Sequence, residues 1–262
     1  MTDLDIENAG AEPGTDSRPP YVPGQTALLL DKPDGAADTA SGRDSILCDM
    51  VGIRHVGIAG NMGVGKSTLT AALALRLGAR AFYETVEDHP YLERFYEDMR
   101  RWGFQSQFFF LSQAFSQHSA ILRSDRICVQ DRTIYEHFEV FAASLHDQGL
   151  LDPEDFLVLR EHYESLTAVV PGPDLMIYLR ASVPTLLERI HARDRGCETS
   201  VSADYLAGLD RRYESWMAQY EASDVLVVDT DDIDIHVPEH RERLLGLIET
   251  RVLERASALA VA

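Results

Sequence analysis

The sequence is short of cysteine, of positive charge and of long apolar runs. Its three cysteines, Cys48, Cys128 and Cys197, lie far apart and form no C-x-x-C pair, which excludes the usual cysteine-based metal and dithiol motifs. An odd, scattered set points to reduced thiols in a cytoplasmic protein. Only 24 Lys and Arg stand against 43 Asp and Glu, a formal net charge of -19. A chain this acidic repels nucleic acid polymers and anionic membranes, so small molecules are the partners to expect. No apolar stretch approaches a membrane span. The opening Met-Thr-Asp-Leu-Asp lacks the basic and apolar regions of a secretory signal.

What is present suffices for one sizeable domain: 262 residues, 45% of them hydrophobic. Residues 1–50 read differently from the rest. Ten acids from Asp3 to Asp49 are opposed only by Arg18, Lys32 and Arg43, and Pro and Gly recur. Such a segment buries too little to offset its ordering entropy. The expectation is an acidic, disordered tail over 1–50 and a folded domain over 51–262.

From His55 onward, short apolar runs alternate with helical patterns. "HVGIAG", "ARAFYE", "RICVQDR", "DLMIYLR" and "DVLVVDT" read as strands covered on both faces. Helices are expected between them, including separate ones over "PYLERFYEDMRRW" and "GFQSQFFFLSQAFSQHSAILRS". The pattern predicts an α/β fold, a doubly wound, parallel five-stranded sheet flanked by helices, with no internal repeat.

The segment "GNMGVGKST", Gly60-Asn61-Met62-Gly63-Val64-Gly65-Lys66-Ser67-Thr68, fits G-x-x-x-x-G-K-[ST] between a strand and a helix. Its backbone N–H groups and the helix N-terminus make an anion cradle. Lys66 reaches the β- and γ-phosphates of a nucleotide, and Ser67 can offer its hydroxyl to Mg²⁺. The loop alone does not name the acceptor, because motors, switches and small-molecule kinases all use it.

Further candidates lie at strand ends, where ligands gather in open α/β sheets. Glu84 is placed to take the proton of an attacking hydroxyl. Arg132 can hold that hydroxyl or the moving phosphoryl group, and Asp131 can orient a Mg²⁺ water. Arg189, Arg193 and Arg195, followed by Glu198, can close over the phosphates and neutralise developing charge. Asp229 ends the fifth strand. The spacing of Arg189 and Arg193 equally suits an ordinary exposed helix face.

"YETVEDHPYLERFY", "RWGFQSQFFFLS", "QDRTIYE", "RIHARDRGCE" and "YLAGLDRRYESW" together resemble the deoxynucleoside kinase family over about residues 54–230, nearest to the bacterial deoxyadenosine and deoxyguanosine kinases. The resemblance implies a P-loop kinase fold with an arginine-bearing lid. It also implies ATP and Mg²⁺ as donor system, and transfer of the γ-phosphoryl group to the 5′-hydroxyl of a nucleoside. Glu84 corresponds to the general base, and Asp131 and Arg132 to the acidic-Arg-Ser motif, with Thr133 in place of Ser. Tyr96 and Glu198 correspond to the pair holding the sugar 3′-hydroxyl. Trp102 corresponds to a wall of the base pocket, or is plain core, and Gln107 corresponds to the amide that pairs with the base, with Gln105 two residues away as the other candidate. Phe110 and Phe138 are either pocket lining or plain core. Where many relatives carry an Arg and an Asp around the base, this chain has Gln113 and His137, which leaves base identity open. The resemblance further implies a homodimer built from "GFQSQFFFLSQAF" and "TIYEHFEVFAASL".

Two other readings stand beside this one. A nucleoside monophosphate kinase of thymidylate kinase type would need cations around the acceptor, yet "YETVEDHPYLERFYED" is dominated by acids. A non-catalytic binding subunit would have no reason to keep Lys66, Ser67, Glu84, Asp131 and Arg132 together.

Overall fold

The computed structural model describes residues 52–84, 86, 88–193 and 201–259. The tail over 1–50 and the candidates Arg195 and Glu198 lie outside them.

Five strands form one sheet: β1 (His55–Gly60), β2 (Arg80–Phe82), β3 (Cys128–Asp131), β4 (Leu175–Arg180) and β5 (Asp224–Asp229). Their order is β2-β3-β1-β4-β5 and every neighbouring pair is parallel. The central β1 and β3 are buried along their whole length, and β4 up to its last residue, whereas the edge strands β2 and β5 are partly open. This gradient explains why β1 and β4 are nearly continuous apolar runs, while buried β3 ends on the polar Gln130 and Asp131.

The helices are α1 (Lys66–Leu77), α2 (Leu92–Glu97), α3 (Met99–Leu122), α4 (Ile134–Glu136), α5 (Ala143–Asp147), α6 (Pro153–Thr167), α7 (Val183–Arg193), α8 (Ala203–Met217) and α9 (Pro238–Leu259). A π-helical turn, His137–Ala142, joins α4 to α5 without a break. Gly78 ends α1 in the left-handed region and donates its N–H back to Ala74 and Leu75. The break expected between Trp102 and Gly103 lies earlier, at Asp98. Asp98 closes α2 and caps α3 by accepting the Arg101 N–H at 2.9 Å, so Gly103 sits inside the helix. The cap outweighs a glycine cost of about 1 kcal/mol within a long helix.

The main apolar core runs through the sheet and its helices, with Ile58, Leu69, Leu73, Val129, Ile177 and Leu206 among its members, and a smaller cluster of Phe82, Ile121 and Cys128 lies at the β2 edge. Because all strands are parallel, Gly60, Asp131, Arg180 and Asp229 end at one edge of the sheet. The loops gathered there carry the candidate site.

The structure corrects the helix pair expected at a dimer surface. The segment 134–147 packs against α3, α6 and α8 of its own chain, and Ile134, Phe138, Val140, Ala142, Ala143 and Leu145 are buried. It has no apolar face to offer. The exposed large apolar side chains in this region are instead Phe108 and Leu122 on α3, Leu157 and Val158 on α6, and Val169 just beyond.

Candidate active site

The phosphate loop owes its path to backbone that only glycine tolerates. Gly60 has φ 145°, and a Cβ there would lie 2.5 Å from the Leu179 carbonyl oxygen. Gly65, at φ 103°, precedes α1 with nothing within 4 Å of where its Cβ would be. Its neighbourhood is open, as an anion site at a helix N-terminus requires. Asn61 does not face that space. Its side chain accepts from Met62 N–H at 2.8 Å and donates to the Leu206 carbonyl at 3.0 Å, tying the loop to α8. Met62 and Val64 are buried, while Ser67 and Thr68 are exposed on the first turn of α1.

Lys66 folds back over the loop and donates to the Asn61 carbonyl at 3.0 Å. Burial, with Arg132 nearby, lowers its ammonium to about 8, although Asp131, Glu136 and Glu84 act in the opposite direction. Ser67 Oγ donates to Asp131 Oδ2 at 2.5 Å. Asp131 Oδ1 is buried and has no hydrogen-bond partner among the described residues. Burial raises the Asp131 carboxyl, against the pull of Lys66. A buried carboxylate oxygen aimed at nothing, beside a serine hydroxyl at the loop, is a donor set that suits a hard divalent cation.

Arg132 is the centre of the acceptor side. Among the described residues it alone, glycines aside, has a positive φ, 65°. That backbone costs on the order of 1–3 kcal/mol and persists only where surrounding contacts fix it. Here they do: Nε lies 2.9 Å from Glu84 Oε1, Nη1 donates to the Tyr213 hydroxyl at 2.8 Å and approaches Glu136 Oε1 at 3.4 Å, and the guanidinium covers the Phe141 ring at 4.3 Å. Glu84 lies two residues beyond the end of β2 and keeps 22% side-chain exposure. Burial alone would raise its carboxyl, but the Arg132 guanidinium, with the Lys66 ammonium, holds it below the ordinary value, so it is ionised at neutral pH.

Glu136 and Tyr213 were not among the sequence candidates, although the structure places both in the site. Fully buried Glu136 accepts from Tyr213 Oη at 2.7 Å, Thr133 N–H at 3.1 Å and Gly60 N–H at 3.3 Å. Burial raises its carboxyl despite Arg132 and Lys66. One signal was legible: Thr133-x-x-Glu136 has the capping-box pattern, and its Glu136 half forms, the carboxylate accepting the Thr133 N–H. Tyr213 lies in the quoted segment "YLAGLDRRYESW", but nothing in that segment assigns it a role.

Of the base-pocket candidates, Phe110 lies against His137. The two rings stack at 5.1 Å and 8°, and Phe110 meets His89 at 4.3 Å. Burial lowers His137 to about 3, so it is a neutral imidazole within electrostatic range of Glu84 and Arg132. Gln107 is buried, its Oε1 without a partner among the described residues. Gln105 Oε1 is likewise buried and unpartnered, on another side of α3. Gln113 is half-buried, at helical spacing from Phe110 and Gln117, on the face that meets His89, His137 and Tyr83. Trp102 is half-buried and stacks on Tyr91 at 5.6 Å, with Arg94 and Arg101 over its ring. Tyr96 is half-buried, against Phe95. Phe138 stacks between Phe156 and Tyr163 and is core rather than pocket wall.

On the donor side, Arg189 is committed to the protein. It donates to Thr230 Oγ1 at 3.0 Å, Thr230 O at 2.6 Å, Ile233 O at 3.2 Å and Val64 O at 3.4 Å. It clamps the loop after β5 to the phosphate loop, which is a different use from the phosphate contact expected. Asp229 is exposed and accepts from Asp231 N–H at 3.1 Å in the turn that follows. Arg193 is exposed at the end of α7.

Residues 56–253 match the profile of the family described as deoxynucleoside kinase. The chain is 38% identical over 180 residues to a deoxyadenosine/deoxycytidine kinase of Bacillus subtilis, covering 68% of this chain and 83% of that one. It is 33% identical over 183 residues to a deoxyguanosine kinase of the same organism, covering 68% and 87%. Among solved structures, the deoxyadenosine kinase of M. mycoides with bound dATP superposes with a TM-score of 0.65 at 28% identity, over 75% of this chain and 97% of that one.

Proposed function

The chain belongs to the deoxynucleoside kinase family and is therefore a phosphotransferase acting on a nucleoside hydroxyl with ATP as donor; on that premise we propose that it moves the γ-phosphoryl group of Mg·ATP to the 5′-hydroxyl of a deoxynucleoside. The observation that carries this reading is the ion pair between Glu84 and Arg132, held beside the phosphate loop with Lys66 in the same electrostatic field. The monophosphate-kinase and binding-subunit alternatives are not favoured by the family.

In this reading, Lys66 meets the β- and γ-phosphates and the α1 N-terminus cradles them. Glu84, ionised and partly open to solvent, takes the proton of the 5′-hydroxyl as it attacks. Arg132 orients that carboxylate and stays close to the moving phosphoryl group. Arg193 and Arg195 neutralise charge on the equatorial oxygens. Ser67 and Asp131 would hold Mg²⁺. Bound there, Mg²⁺ would supply charge neutralisation at the phosphates. Among the described residues no cluster of three or more His, Cys, Asp or Glu forms a metal cage.

On the nucleoside side, Gln107 offers an unpaired amide to the base edge and Trp102 packs beside it. Gln113 and His137 shape the rest of the pocket with neutral groups. Tyr96 and Glu198 hold the sugar 3′-hydroxyl. Deoxyadenosine, deoxyguanosine and deoxycytidine, named by the relatives, are the first substrates to try. No helix among the described residues is long and apolar enough to cross a membrane, which fits a cytoplasmic enzyme. The homodimer forms through the apolar faces of α3 and α6, where Phe108 stacks on His162 at 4.6 Å and Leu157 and Val158 are exposed.

The test of this reading is Glu84→Gln, which keeps the shape and removes the proton acceptor. Loss of general-base catalysis lowers kcat by roughly 10²–10⁴ with little change in KM for ATP. An unchanged kcat would show that another group takes the proton.

A further inference from the structure

Glu84 sits beyond the reach of the sheet that should position it. β2 is an edge strand of three residues, and its pairing with β3 ends at Phe82 opposite Gln130. Tyr83 and Glu84 follow as irregular chain. A general base needs its carboxylate held to a fraction of an ångström, because a misplacement of about 1 Å can cost roughly a hundredfold in rate. Something other than the β ladder must fix this backbone.

A line of side-chain amides does so. Gln117 Nε2 on α3 donates to the Tyr83 carbonyl at 2.7 Å. Gln130 Nε2 on β3 donates to Gln117 Oε1 at 3.3 Å. Gln130 Oε1 lies 2.9 Å from His55 Nε2 on β1. The bonds dictate one another's direction. A carbonyl at Tyr83 demands the donor end of Gln117, which presents its acceptor end to Gln130, which presents its own acceptor to His55. His55 must therefore carry its proton on Nε2. Burial keeps it neutral, near 3, so this proton is its only one and Nδ1 is left as a bare lone pair. Gln130 and His55 are buried in the central strands, so the line is anchored in the centre of the sheet.

We propose that Gln117 is a positioning residue for the acceptor site. It pins the Tyr83 carbonyl, and through it the Glu84 backbone, to the centre of the sheet by way of Gln130 and His55. The proposal rests on the reading of Glu84 as the general base. It gives a role to a further glutamine on a helix that serves the base pocket through Gln107 and Phe110. Gln117 touches the chain of the base residue, not the reacting atoms. With this pin in place, the Glu84–Arg132 ion pair is supported from both sides, since Arg132 is fixed independently by Tyr213 and Glu136.

The experiment is a double-mutant cycle in the full-length enzyme, using Gln117→Leu and Glu84→Gln singly and together. Steady-state kinetics are read with ATP and a deoxynucleoside substrate, and the melting temperature of each variant is recorded. Gln117→Leu is expected to lower kcat roughly tenfold to a hundredfold with KM for ATP within about twofold of wild type. In the Glu84→Gln background the same substitution is expected to lower kcat by less than about twofold, because the group it positions is already gone. Equal losses in both backgrounds, or an unchanged kcat in Gln117→Leu, would overturn the proposal while leaving Glu84 as the base. An unchanged kcat in Glu84→Gln alone would overturn the base assignment and this proposal with it. Should Gln117→Leu fail to fold, Gln117→Glu keeps the acceptor for Gln130 but loses the donor to Tyr83, and the same pattern is expected of it.

Discussion

The Tyr213 hydroxyl donates to Glu136 Oε1 at 2.7 Å, joining residues 77 positions apart. The same hydroxyl accepts from Arg132 at 2.8 Å, and the same carboxylate accepts the Gly60 N–H of the phosphate loop. Two side chains thus connect the donor loop, the acceptor arginine and α8. Tyr213 is fully buried and stacks on Tyr178 at 5.8 Å, so removing its hydroxyl leaves the ring in place.

Tyr213→Phe should therefore leave Glu136 and Arg132 short of one partner each. A cost of about 1–3 kcal/mol in stability is expected. With it comes a fall in kcat of about tenfold, the equivalent of ~1.4 kcal/mol in the barrier. Thermal melting and steady-state kinetics check both. A variant with wild-type kcat would show that Arg132 needs no support from α8.

The lowered ammonium of Lys66 gives a pH signature. Its folded value is about 8, below that of a free lysine, so the charged form is lost as pH rises through that value. The profile of kcat/KM for ATP reports groups of the free enzyme. It should fall on the alkaline side near pH 8. Bound phosphates favour the charged form, so the corresponding limb in kcat should lie higher. Lys66→Arg should remove the limb, because arginine does not titrate there. Lys66→Ala should lower turnover by roughly 10²–10³ or more, in the range seen when one transition-state donor is lost. A flat profile across that region in the wild type would mean that Lys66 is not required in its charged form.

Much of the fold is legible in the sequence. The inner strands β1 and β4 announce themselves because burial on both faces makes them nearly continuous apolar runs. The glycine pattern placed the phosphate loop, and Glu84, Asp131 and Arg132 followed from their places at strand ends. What the sequence hid is tertiary. Tyr213 is one tyrosine among ten until the fold brings it to Glu136. Arg189 has the spacing of a phosphate-facing arginine, yet the loop after β5 offers it Thr230 and Ile233 acceptors first. The helix break at Asp98 and the burial of segment 134–147 turn on local capping and on packing by α3, α6 and α8. Pattern alone weighs these poorly against a glycine or an aromatic-rich face.

The dimer surface gives a direct test. Phe108→Glu combined with Val158→Glu places charges on the exposed apolar faces of α3 and α6 without touching the core. Wild type should sediment as a dimer and the double variant as a monomer. A monomeric wild type would contradict the assignment of this face.

The N-terminal segment is expected to be dispensable. Deleting residues 1–50 should leave turnover within about a factor of three, less than roughly 1 kcal/mol in the barrier. Turnover is measured together with melting temperature. A large loss in either would show that the segment docks on the folded domain.

The central claim is phosphoryl transfer from ATP to a nucleoside hydroxyl at the Glu84–Arg132 site, and product identification tests it most directly. The full-length protein is incubated with Mg·ATP and each common deoxyribo- and ribonucleoside in turn. ADP and the nucleoside product are then identified by chromatography and mass spectrometry, with Lys66→Ala as the control. The account predicts a nucleoside 5′-monophosphate formed in equal amount to ADP from at least one deoxynucleoside, and none in the control. ADP formation only when a nucleoside monophosphate is supplied, or no nucleotide product from any nucleoside, would contradict it.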